Sequence, residues 1–409
     1  MNLNQGQLQA MQDLHNFLRS NEKYHVLKGY AGTGKTTTML SFLNSIDGFN
    51  QLNKSLGVDL PEYQLVFTAT TNKAADVLRN LLKQDTSTIH SLLKLRPKLD
   101  SKNKGKMFLM PTGKVDLSPE MVIVVDEASC IDEELLGFIE KRTGNCKVLF
   151  CGDPNQLTPV GSNISIVFEK GYNESMLTEI MRQAVSPLQH LCEALRNNVE
   201  HDELPDVEPN DIDILWLDRD DFDAAVLADM SRPDWKSSDS KYVAFTNKAV
   251  QEMNLKVKKV IVGEPRFQAG DLAVCNSFIS NDDIRLSTDS IVVISNISHD
   301  QTNENVSGYV TEIEGVQFFT PYDFTEINKA QERAIKNGDM ETFNVIKKYW
   351  IDLRPAYACT VHKSQGSTFK DVYVDLADLN KAQRMNMDLF NRLLYVAVSR
   401  GSQRVIFTG

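Results

Sequence analysis

Short apolar runs alternate along the first part of the chain with segments whose apolar residues recur at helical spacing. These runs have the length of strands and are apolar throughout, which is typical of central parallel strands covered by helices on both faces. The predicted strands are residues 24–28, 64–68, 121–125 and 147–150, and the predicted helices are residues 8–18, 36–46, 74–82 and 132–141. This order predicts a doubly wound α/β domain.

The second part of the chain repeats the α/β pattern around an insertion. Residues 200–210 combine two prolines with five acidic residues, which indicates a linker. Residues 267–322 carry short alternating strands and predict a small inserted β-barrel, which a helical segment at 323–350 follows. The strand-like runs that surround this insertion and predict a second α/β domain are residues 213–217, 242–246 and 404–408.

The composition is that of a soluble globular protein, with 409 residues, 42% hydrophobic and 24% charged. No apolar run approaches the roughly 18 residues that a membrane span needs, and the N-terminus lacks the layout of a signal peptide. The six cysteines form no C-x-x-C pair, which argues against a zinc site or a disulfide framework. We therefore expect reduced thiols, a cytoplasmic location and no membrane partner.

The net charge of −11 comes from one segment. Residues 200–239 hold 14 acidic and 3 basic residues, and this imbalance accounts for the whole excess. Residues 94–114 instead carry seven basic residues against Asp100 alone. The acidic segment is best interpreted as a solvated surface, although it could dock a partner. The basic segment favours contact with nucleic acid.

Residues Gly29 to Thr36 read GYAGTGKT and fill every fixed position of the G-x-x-x-x-G-K-[ST] phosphate-binding loop. The loop follows a predicted strand and precedes a predicted helix, which makes an accidental glycine-rich turn a poor alternative. Lys35 is expected to reach the β and γ phosphates, and the Thr36 hydroxyl is expected to help hold Mg²⁺. The other residues expected to surround the phosphates are Gly29, Ala31, Gly32, Thr33, Gly34 and Thr37. The sequence thus predicts binding of a nucleoside triphosphate, ATP, with Mg²⁺.

Two later strands end in residues suited to hydrolysis. Asp126 and Glu127 follow the run at 121–125, where Asp126 would hold Mg²⁺ and Glu127 would orient or deprotonate the attacking water. Gln156 lies in GDPNQLTPV, after the strand at 147–150, and could sense the γ-phosphate. Phosphoryl transfer also requires positive charge at the γ-phosphate, for which Arg182 and Arg400 are candidates.

Taken in order, these strings resemble superfamily 1B, the RecD-like branch of the superfamily 1 DNA helicases, and within it the Dda-like phage helicases. The resemblance covers nearly the whole chain. The matching strings are LNQGQ (3–7), GYAGTGKT (29–36), VVDEAS (124–129), GDPNQLTPV (152–160), LTEIMRQ (177–183), AYACTVHKSQGST (356–368) and YVAVSRG (395–401). Each string is weak alone, whereas VHKSQGST in this order with the others is highly specific. The first string resembles an adenine-recognising motif, which implies that Gln7 contacts the base.

The resemblance implies an α/β fold with two RecA-like domains, each a doubly wound parallel sheet, and ATP between them. The first domain is predicted at 1–176, and the second at 177–266 and 351–409 around an insertion at 267–350. A helicase of this branch moves 5′→3′ along single-stranded DNA and unwinds forked duplexes, in replication, recombination or repair. The resemblance also implies a monomer in a bacterial cytoplasm, and it fits a phage gene and a bacterial gene equally well.

The resemblance also assigns DNA contacts. In the first domain these would come from residues 70–73, at the end of a predicted strand, and from His90. In the second domain they would come from residues 246–248 and from the AYACTVHKSQGST string. The predicted contacts are Thr70, Thr71, Asn72, Lys73, His90, Thr246, Asn247, Lys248, Thr360, His362 and Ser364. A buried structural histidine is the alternative for His90 and for His362.

The basic segment lies where the Dda-like enzymes carry a β-hairpin pin that splits the duplex. We predict this pin at about residues 94–116, with a turn at 103–105. Pro97 and Phe108 are its apolar candidates, and Phe108 could stack on the last base pair. The lysines of the segment would hold the strand electrostatically.

Two other functions fit the residues. In one, the chain is a nucleic-acid-binding switch in which ATP orders a surface for partner proteins. In the other, RNA is the track, since no residue pattern here identifies recognition of the 2′-hydroxyl. Single-strand-binding or replication proteins are conceivable partners of the favoured DNA helicase.

Overall fold

Two parallel sheets, one in each half of the chain, carry the candidate site residues. The computed structural model describes residues 3–99, 107–159, 165–180, 186–201, 203, 206–263 and 266–409. The chain separates into two units, of which unit 1 comprises residues 1–205 and 387–396 and unit 2 comprises residues 206–386 and 397–409.

Unit 1 alternates strands with helices. Its strands are β1 (Tyr24–Gly29), β2 (Gln64–Ala69), β3 (Thr86–Thr88), β4 (Leu95–Leu99), β5 (Met107–Pro111), β6 (Met121–Asp126), β7 (Lys147–Gly152) and β8 (Asn173–Leu177). Its helices are α1 (Gln5–Arg19), α2 (Lys35–Ser55), α3 (Asn72–Leu82), α4 (Ile89–Leu92), α5 (Glu133–Arg142), α6 (Ile166–Glu169) and α7 (Pro187–His201), with a 3₁₀ turn at Ala128–Cys130.

The sheet of unit 1 has six strands in the order β3-β2-β6-β7-β1-β8, and every pair in it is parallel. All six residues of β7 are buried, as expected for a central strand with helices on both faces. On one face α1 packs Leu14, Phe17 and Leu18 into an apolar core shared with α2 and α3. A second core lies on the opposite face and includes residues of α5. The predicted doubly wound sheet is confirmed.

A hairpin of β4 and β5 lies in the chain between α4 and β6. Its strands pair antiparallel, with Pro97 opposite Leu109 and Lys98 opposite Phe108. The hairpin therefore forms where the sequence predicts the pin, whereas the predicted turn at 103–105 lies outside the described residues. Phe108 is 38% exposed, so its ring is accessible on the hairpin surface.

Unit 2 holds the remaining elements. Its strands are β9 (Ile214–Trp216), β10 (Ser240–Ala244), β11 (Leu272–Cys275), β12 (Ile279–Ser280), β13 (Arg285–Leu286), β14 (Ile291–Val293), β15 (Asn296–Asn303), β16 (Val306–Ile313), β17 (Val316–Pro321), β18 (Leu353–Pro355), β19 (Ala358–Thr360), β20 (Phe369–Asp375) and β21 (Gly401–Thr408). Its helices are α8 (Arg219–Met230), α9 (Asn247–Val262), α10 (Thr325–Lys336), α11 (Met340–Tyr349), α12 (Val361–Ser364) and α13 (Leu376–Gln383), and α14 (Met387–Ser399) belongs to unit 1 up to Val396.

The central sheet of unit 2 is also parallel, with five strands in the order β19-β10-β20-β21-β9. The insertion between α9 and β18 contains the predicted short strands and helices. Its described strands form three separate sheets, namely β14-β11-β18, β12-β13 and β15-β16-β17, rather than a closed barrel. Ile294 and Ser295 connect β14 to β15, and their amides donate to the carbonyl oxygens of Asp271, just before β11, and of Glu312 in β16. Residues of all three sheets still share one apolar core.

The boundary between the units differs from the predicted one at residues 176 and 177. Residues 177–205 belong to unit 1, because α7 packs there through its apolar face and through polar contacts. The Arg196 guanidinium lies 4.0 Å from the centre of the Tyr30 ring, and Glu200 accepts a 2.7 Å hydrogen bond from Asn155. Of the helices in the described ranges, none combines the length and the apolar character needed to cross a membrane.

Candidate functional site

The GYAGTGKT loop joins the end of β1 to the start of α2, so the predicted order of strand, turn and helix is confirmed. Gly32 and Gly34 have φ values of 82° and 81°, a conformation that favours glycine. A Cβ on Gly29 would lie 2.8 Å from the Thr33 hydroxyl and 3.0 Å from Cγ of Lys35. The three glycines thus allow a tight backbone cradle at the N-terminus of a 21-residue helix, which fits the phosphates of a nucleotide.

Lys35 is the first residue of α2 and folds back over the loop. Its ammonium donates to the carbonyl oxygens of Gly29, over 2.5 Å, and Tyr30, over 3.0 Å. Both acceptors are backbone groups of the phosphate-binding loop. The predicted phosphate-binding amine is therefore held at the mouth of the cradle, where it can reach the outer phosphates of ATP.

Gln7 is fully buried and connects α1 to the same loop. Its Oε1 accepts from the backbone N–H of Asn4, whose side chain in turn accepts from the N–H of Gln7, and this exchange forms a capping box. The Nε2 of Gln7 donates to the carbonyl oxygen of Thr33 over 3.4 Å. Both ends of the amide that the sequence assigns to adenine therefore have protein partners, and base contact by Gln7 stays a prediction.

Asp126 and Glu127 follow the end of β6. Burial and the neighbouring Glu127 charge raise the pKa of Asp126 to about 7, although the Lys35 ammonium acts in the opposite direction. A divalent cation would favour the ionised carboxylate, and the Asp126 carboxylate and Thr36 hydroxyl are hard oxygen ligands of the kind Mg²⁺ prefers. Glu127 has φ 54° and ψ 44°, a left-handed conformation that is uncommon outside glycine.

Thr70, a predicted DNA contact, instead bonds to the residues after β6. Its backbone N–H donates to the carbonyl oxygen of Asp126 and its hydroxyl donates to that of Glu127, each over 3.3 Å. These two bonds hold the left-handed backbone of Glu127 in place. The predicted DNA-contact segment is therefore bonded to the backbone that carries the predicted hydrolytic carboxylates, within unit 1.

Gln156 lies in the loop after β7, close to Asp153. The Asp153 carboxylate is fully buried and accepts from the backbone N–H of Asn155 and, at 3.5 Å, from Nε2 of Gln156. Oε1 of Gln156 is buried and has no hydrogen-bond partner in the described part of the chain. Contact of Gln156 with the γ-phosphate, which would require its Nε2 as the donor, stays a prediction.

Sequence reasoning missed four side chains, of which three hold this loop and the fourth contacts the phosphate-binding loop. From α14, Arg392 donates to the carbonyl oxygens of Pro154 and Gln156, and Tyr395 donates to the Asp153 carboxylate. From α7, Glu200 accepts from Asn155, and Arg196 covers the Tyr30 ring. Tyr395 stands inside the YVAVSRG string, so its position in a motif was the available signal. The other three lie outside the recognised strings.

The structure describes one of the two arginines that are predicted to contact the γ-phosphate. Arg182 lies outside the described residues. Arg400 is 6% exposed and belongs to unit 2, where it donates to Ser399 Oγ over 2.9 Å and faces the Ser367 carbonyl oxygen at 3.4 Å. Contact of either guanidinium with the γ-phosphate stays a prediction.

The other predicted DNA contacts of unit 1 lie at the N-termini of α3 and α4. Thr71 caps α3, with its hydroxyl accepting from the Ala74 N–H over 3.2 Å, and Asn72 and Lys73 form the first turn of that helix. His90 lies in the single turn of α4, and burial lowers its pKa. The neutral imidazole is thus favoured, which suits packing or a hydrogen bond better than ionic contact with a phosphate.

In unit 2, Thr246 caps α9 and Asp378 occupies the same helix N-terminus. The Asp378 carboxylate accepts from the backbone N–H groups of Phe245 and Thr246, over 2.9 and 2.7 Å, and from the Thr246 hydroxyl over 2.8 Å. Asn247 and Lys248, the next predicted contacts, are exposed. These two side chains are therefore the ones at this junction that a DNA strand can reach most easily.

The VHKSQGST string begins α12. Thr360 caps this helix through the N–H of Lys363, and the Ser364 hydroxyl donates to the Val361 carbonyl over 2.7 Å. Ser364 is fully buried, so its side chain stabilises the turn instead of facing outward. Burial lowers the pKa of His362, whose ring lies 6.4 Å from that of Phe245. The two ends of the predicted DNA-contact edge of unit 2, at α9 and α12, are thus neighbours.

Comparisons with known proteins identify both halves of the chain. Residues 2–211 match the family model described as AAA domain, and residues 355–408 match the one described as UvrD-like helicase C-terminal domain. Uncharacterized protein R530 of Acanthamoeba polyphaga mimivirus is 23% identical, over 98% of both chains. The ATP-dependent DNA helicase dda of Enterobacteria phage T4 is 22% identical, over 99% of both chains. A structure of a Bacteroides Pif1 helicase with ADP-AlF3 and ssDNA matches over 100% of this chain and 92% of that one. The sequence identity is 14% and the TM-score is 0.55, so this structure supports the fold.

Proposed function

Because the chain belongs to the AAA-domain family and is an ATP-dependent DNA helicase of superfamily 1B, we propose that it moves 5′→3′ along single-stranded DNA and separates forked duplexes. The observation that carries this proposal is the contact between two predicted sites in unit 1. Thr70, in the predicted DNA-contact segment, bonds to the backbone of Asp126 and Glu127. A strand held at residues 70–73 can thereby influence the conformation of the hydrolytic carboxylates.

The phosphate-binding loop and the end of β6 divide the chemistry between them. Backbone N–H groups at the start of α2, with the Lys35 ammonium, would hold and neutralise the phosphates. Thr36 and Asp126 would hold Mg²⁺, and Glu127 would orient the attacking water. ATP supplies the free energy of its hydrolysis, which the protein uses to alternate between conformations that grip the strand differently.

Forked DNA is the expected substrate, and the β4–β5 hairpin is the element best suited to its junction. The hairpin carries an accessible aromatic ring, Phe108, and the basic residues Arg96 and Lys98. An aromatic face can stack on a terminal base pair while cations hold the phosphates. We propose that this hairpin separates the strands as the protein advances.

ATP hydrolysis, measured with and without single-stranded DNA, tests this function together with unwinding of duplexes that carry a 5′ or a 3′ tail. We expect strong stimulation by DNA and unwinding from the 5′ tail. Stimulation without unwinding would leave a translocase and remove the assignment of the hairpin. Equal stimulation by an RNA strand would favour the RNA motor, and no stimulation would favour the binding switch.

Lys35→Ala provides the matched inactive protein. Because the hydrogen bonds of Lys35 in the described residues go to its own loop, we expect ATPase and unwinding to be abolished while single-stranded DNA binding largely persists. Fluorescence anisotropy with a labelled oligonucleotide measures the binding, and circular dichroism confirms the fold. Loss of DNA binding in a folded Lys35→Ala protein would contradict the proposed separation of the two sites.

A further inference from the structure

One buried tyrosine joins the phosphate-binding loop to the loop after β7. Tyr395 lies on α14, within unit 1, and is 2% exposed. Its hydroxyl donates to Oδ2 of Asp153 over 2.7 Å and accepts from the backbone N–H of Ala31 over 3.2 Å. The helix therefore contributes a single polar atom that contacts both loops of the candidate nucleotide site.

The direction of these hydrogen bonds is fixed by the chemistry of the three groups. An ionised carboxylate only accepts and a backbone amide only donates, whereas a phenol has one proton to donate and lone pairs to accept. Burial and the Asp153 charge raise the pKa of Tyr395, so its proton is retained across the working range of pH. The tyrosine is thus a permanent bridge between the two loops.

Asp153 in turn fixes the orientation of the Gln156 side chain. Its carboxylate lies 3.5 Å from Nε2 of Gln156, and because it accepts only, it selects the amide orientation in which the NH₂ group faces it. The Oε1 of Gln156 is left buried and without a partner among the described residues. The orientation of the Gln156 amide is therefore set by Asp153, which is itself held by Tyr395.

We propose that Tyr395 is a positioning residue of the ATP site, which ties the Ala31 amide to Asp153 and so fixes the orientation of the Gln156 side chain. This proposal rests on the ATPase function proposed above. Tyr395 acts through Gln156 and through the phosphate-binding loop, and it touches no substrate itself.

Tyr395→Phe removes the hydroxyl and keeps the ring. Its steady-state ATPase in saturating single-stranded DNA should show a kcat about tenfold below that of the original protein, the scale of one hydrogen bond to a charged group. The KM for ATP should change by less than about threefold, because Ala31 is one of several amides in the loop. A general loss of folded protein would instead lower activity without this separation of kcat from KM.

Tyr242→Phe is the matched control. Tyr242 is as buried as Tyr395, and its hydroxyl donates to a carboxylate, Asp375, over 2.6 Å, but this pair lies in unit 2. Both variants should lose thermal stability, since each deletes one buried bond between a tyrosine and an aspartate, and Tyr395→Phe also removes the acceptor of the Ala31 amide. Only Tyr395→Phe should lower kcat.

A double-mutant cycle with Gln156→Ala then separates positioning from packing. If Tyr395 acts on kcat through Gln156, adding Tyr395→Phe to Gln156→Ala should lower kcat by less than about twofold. A further tenfold loss in that background, or an unchanged kcat in Tyr395→Phe alone, would overturn the proposal.

If Tyr395→Phe fails to fold, Asp153→Asn replaces it as the test variant. Asp153→Asn keeps the side-chain shape but no longer selects the orientation of the Gln156 amide. Its kcat should fall by about tenfold, and an unchanged kcat would overturn the proposal. An original protein that lacks DNA-stimulated ATPase would instead refute the proposed function, so the two failures are distinguishable.

Discussion

The same four residues, Thr-Asn-Lys-Ala, begin α3 at 71–74 and α9 at 246–249, and the two junctions hold different partners. In each, a threonine follows a parallel strand and caps the helix through the N–H of the alanine, over 3.2 Å. The local sequence thus produces the same cap twice. What lies against the cap differs between the two units.

In unit 1 the residue before the cap is Thr70, which bonds to the backbone of Asp126 and Glu127. In unit 2 a carboxylate, that of Asp378, accepts from Phe245 and Thr246. No carboxylate accepts from Thr71 in the described part of unit 1. A helix N-terminus attracts anions, and one that already holds a carboxylate has little attraction left for a phosphate.

The comparison teaches that equal motifs need not contribute equally to DNA binding. The junction at Thr71 is the one we expect to accept a phosphate, and the preceding Thr70 bonds to the backbone of the predicted hydrolytic residues. The junction at Thr246 is neutralised from within, so contact with DNA falls to the exposed Asn247 and Lys248. We therefore expect unit 1 to couple DNA binding to hydrolysis and unit 2 to contribute mainly charge.

The largest effect is expected from Asp378→Asn, which removes the internal anion. Its carboxylate is buried and accepts three hydrogen bonds at the Thr246 junction, so the free energy of unfolding at pH 7 should fall by about 2 kcal/mol or more. Burial by itself would raise the pKa of Asp378, but hydrogen bonds from Lys381 and Thr246 outweigh it and hold the pKa below its usual value. The stabilisation is therefore present above pH 4, roughly, and is lost as pH falls through the lower pKa of the folded state.

Denaturant unfolding of the original protein and of Asp378→Asn between about pH 7 and pH 3 measures this difference. The two stabilities should converge at the acid end. A difference in the free energy of unfolding that stays constant across this pH range would mean that the charge of the Asp378 carboxylate does not stabilise the protein. The junctions at Thr71 and Thr246 would then no longer differ in this respect.

A smaller effect is expected from replacing each capping threonine by valine, which keeps the shape and removes the hydroxyl. Thr71→Val should weaken single-stranded DNA binding by about tenfold, since it removes a phosphate donor as well as the cap. Thr246→Val should lower stability by about 1 kcal/mol and change DNA affinity by less than about threefold. Anisotropy titrations at one fixed salt concentration make the comparison, and equal decreases in affinity would show that both junctions bind phosphate.

The smallest effect concerns the lysines that follow the caps, Lys73 and Lys248. The salt dependence of single-stranded DNA binding is the slope of log K against log salt concentration. Each replacement by alanine should make this slope shallower by about 0.7 for each phosphate that is no longer neutralised. Lys248 is 83% exposed in its side chain and pairs with Glu252 at 3.9 Å, so its charge is available to a strand. An unchanged slope for Lys248→Ala would leave unit 2 without a phosphate contact at this junction.

Much of the fold and of the nucleotide site could be predicted because their signals are local. Glycines at 29, 32 and 34 are required by the close approach and the positive φ angles of one loop. Apolar runs such as 121–125 predicted central strands because only a strand covered on both faces is apolar throughout. The β4–β5 hairpin was also predicted, whereas the separation of the insertion into three sheets instead of a closed barrel was not, because it depends on pairing between distant short strands.

The sequence by itself determined the parallel sheets, the phosphate-binding loop, the carboxylates after β6 and the family, since each depends on residues a few positions apart. Only the tertiary structure decided that Thr70 bonds to Glu127, that Tyr395 bridges two loops and that Asp378 fills one of two identical caps. Those partners lie between 57 and 364 positions apart, as with Thr70 and Glu127 or Ala31 and Tyr395. No periodicity or motif spacing encodes a hydrogen bond between such distant residues, because it forms only when packing of the sheets and helices brings them together.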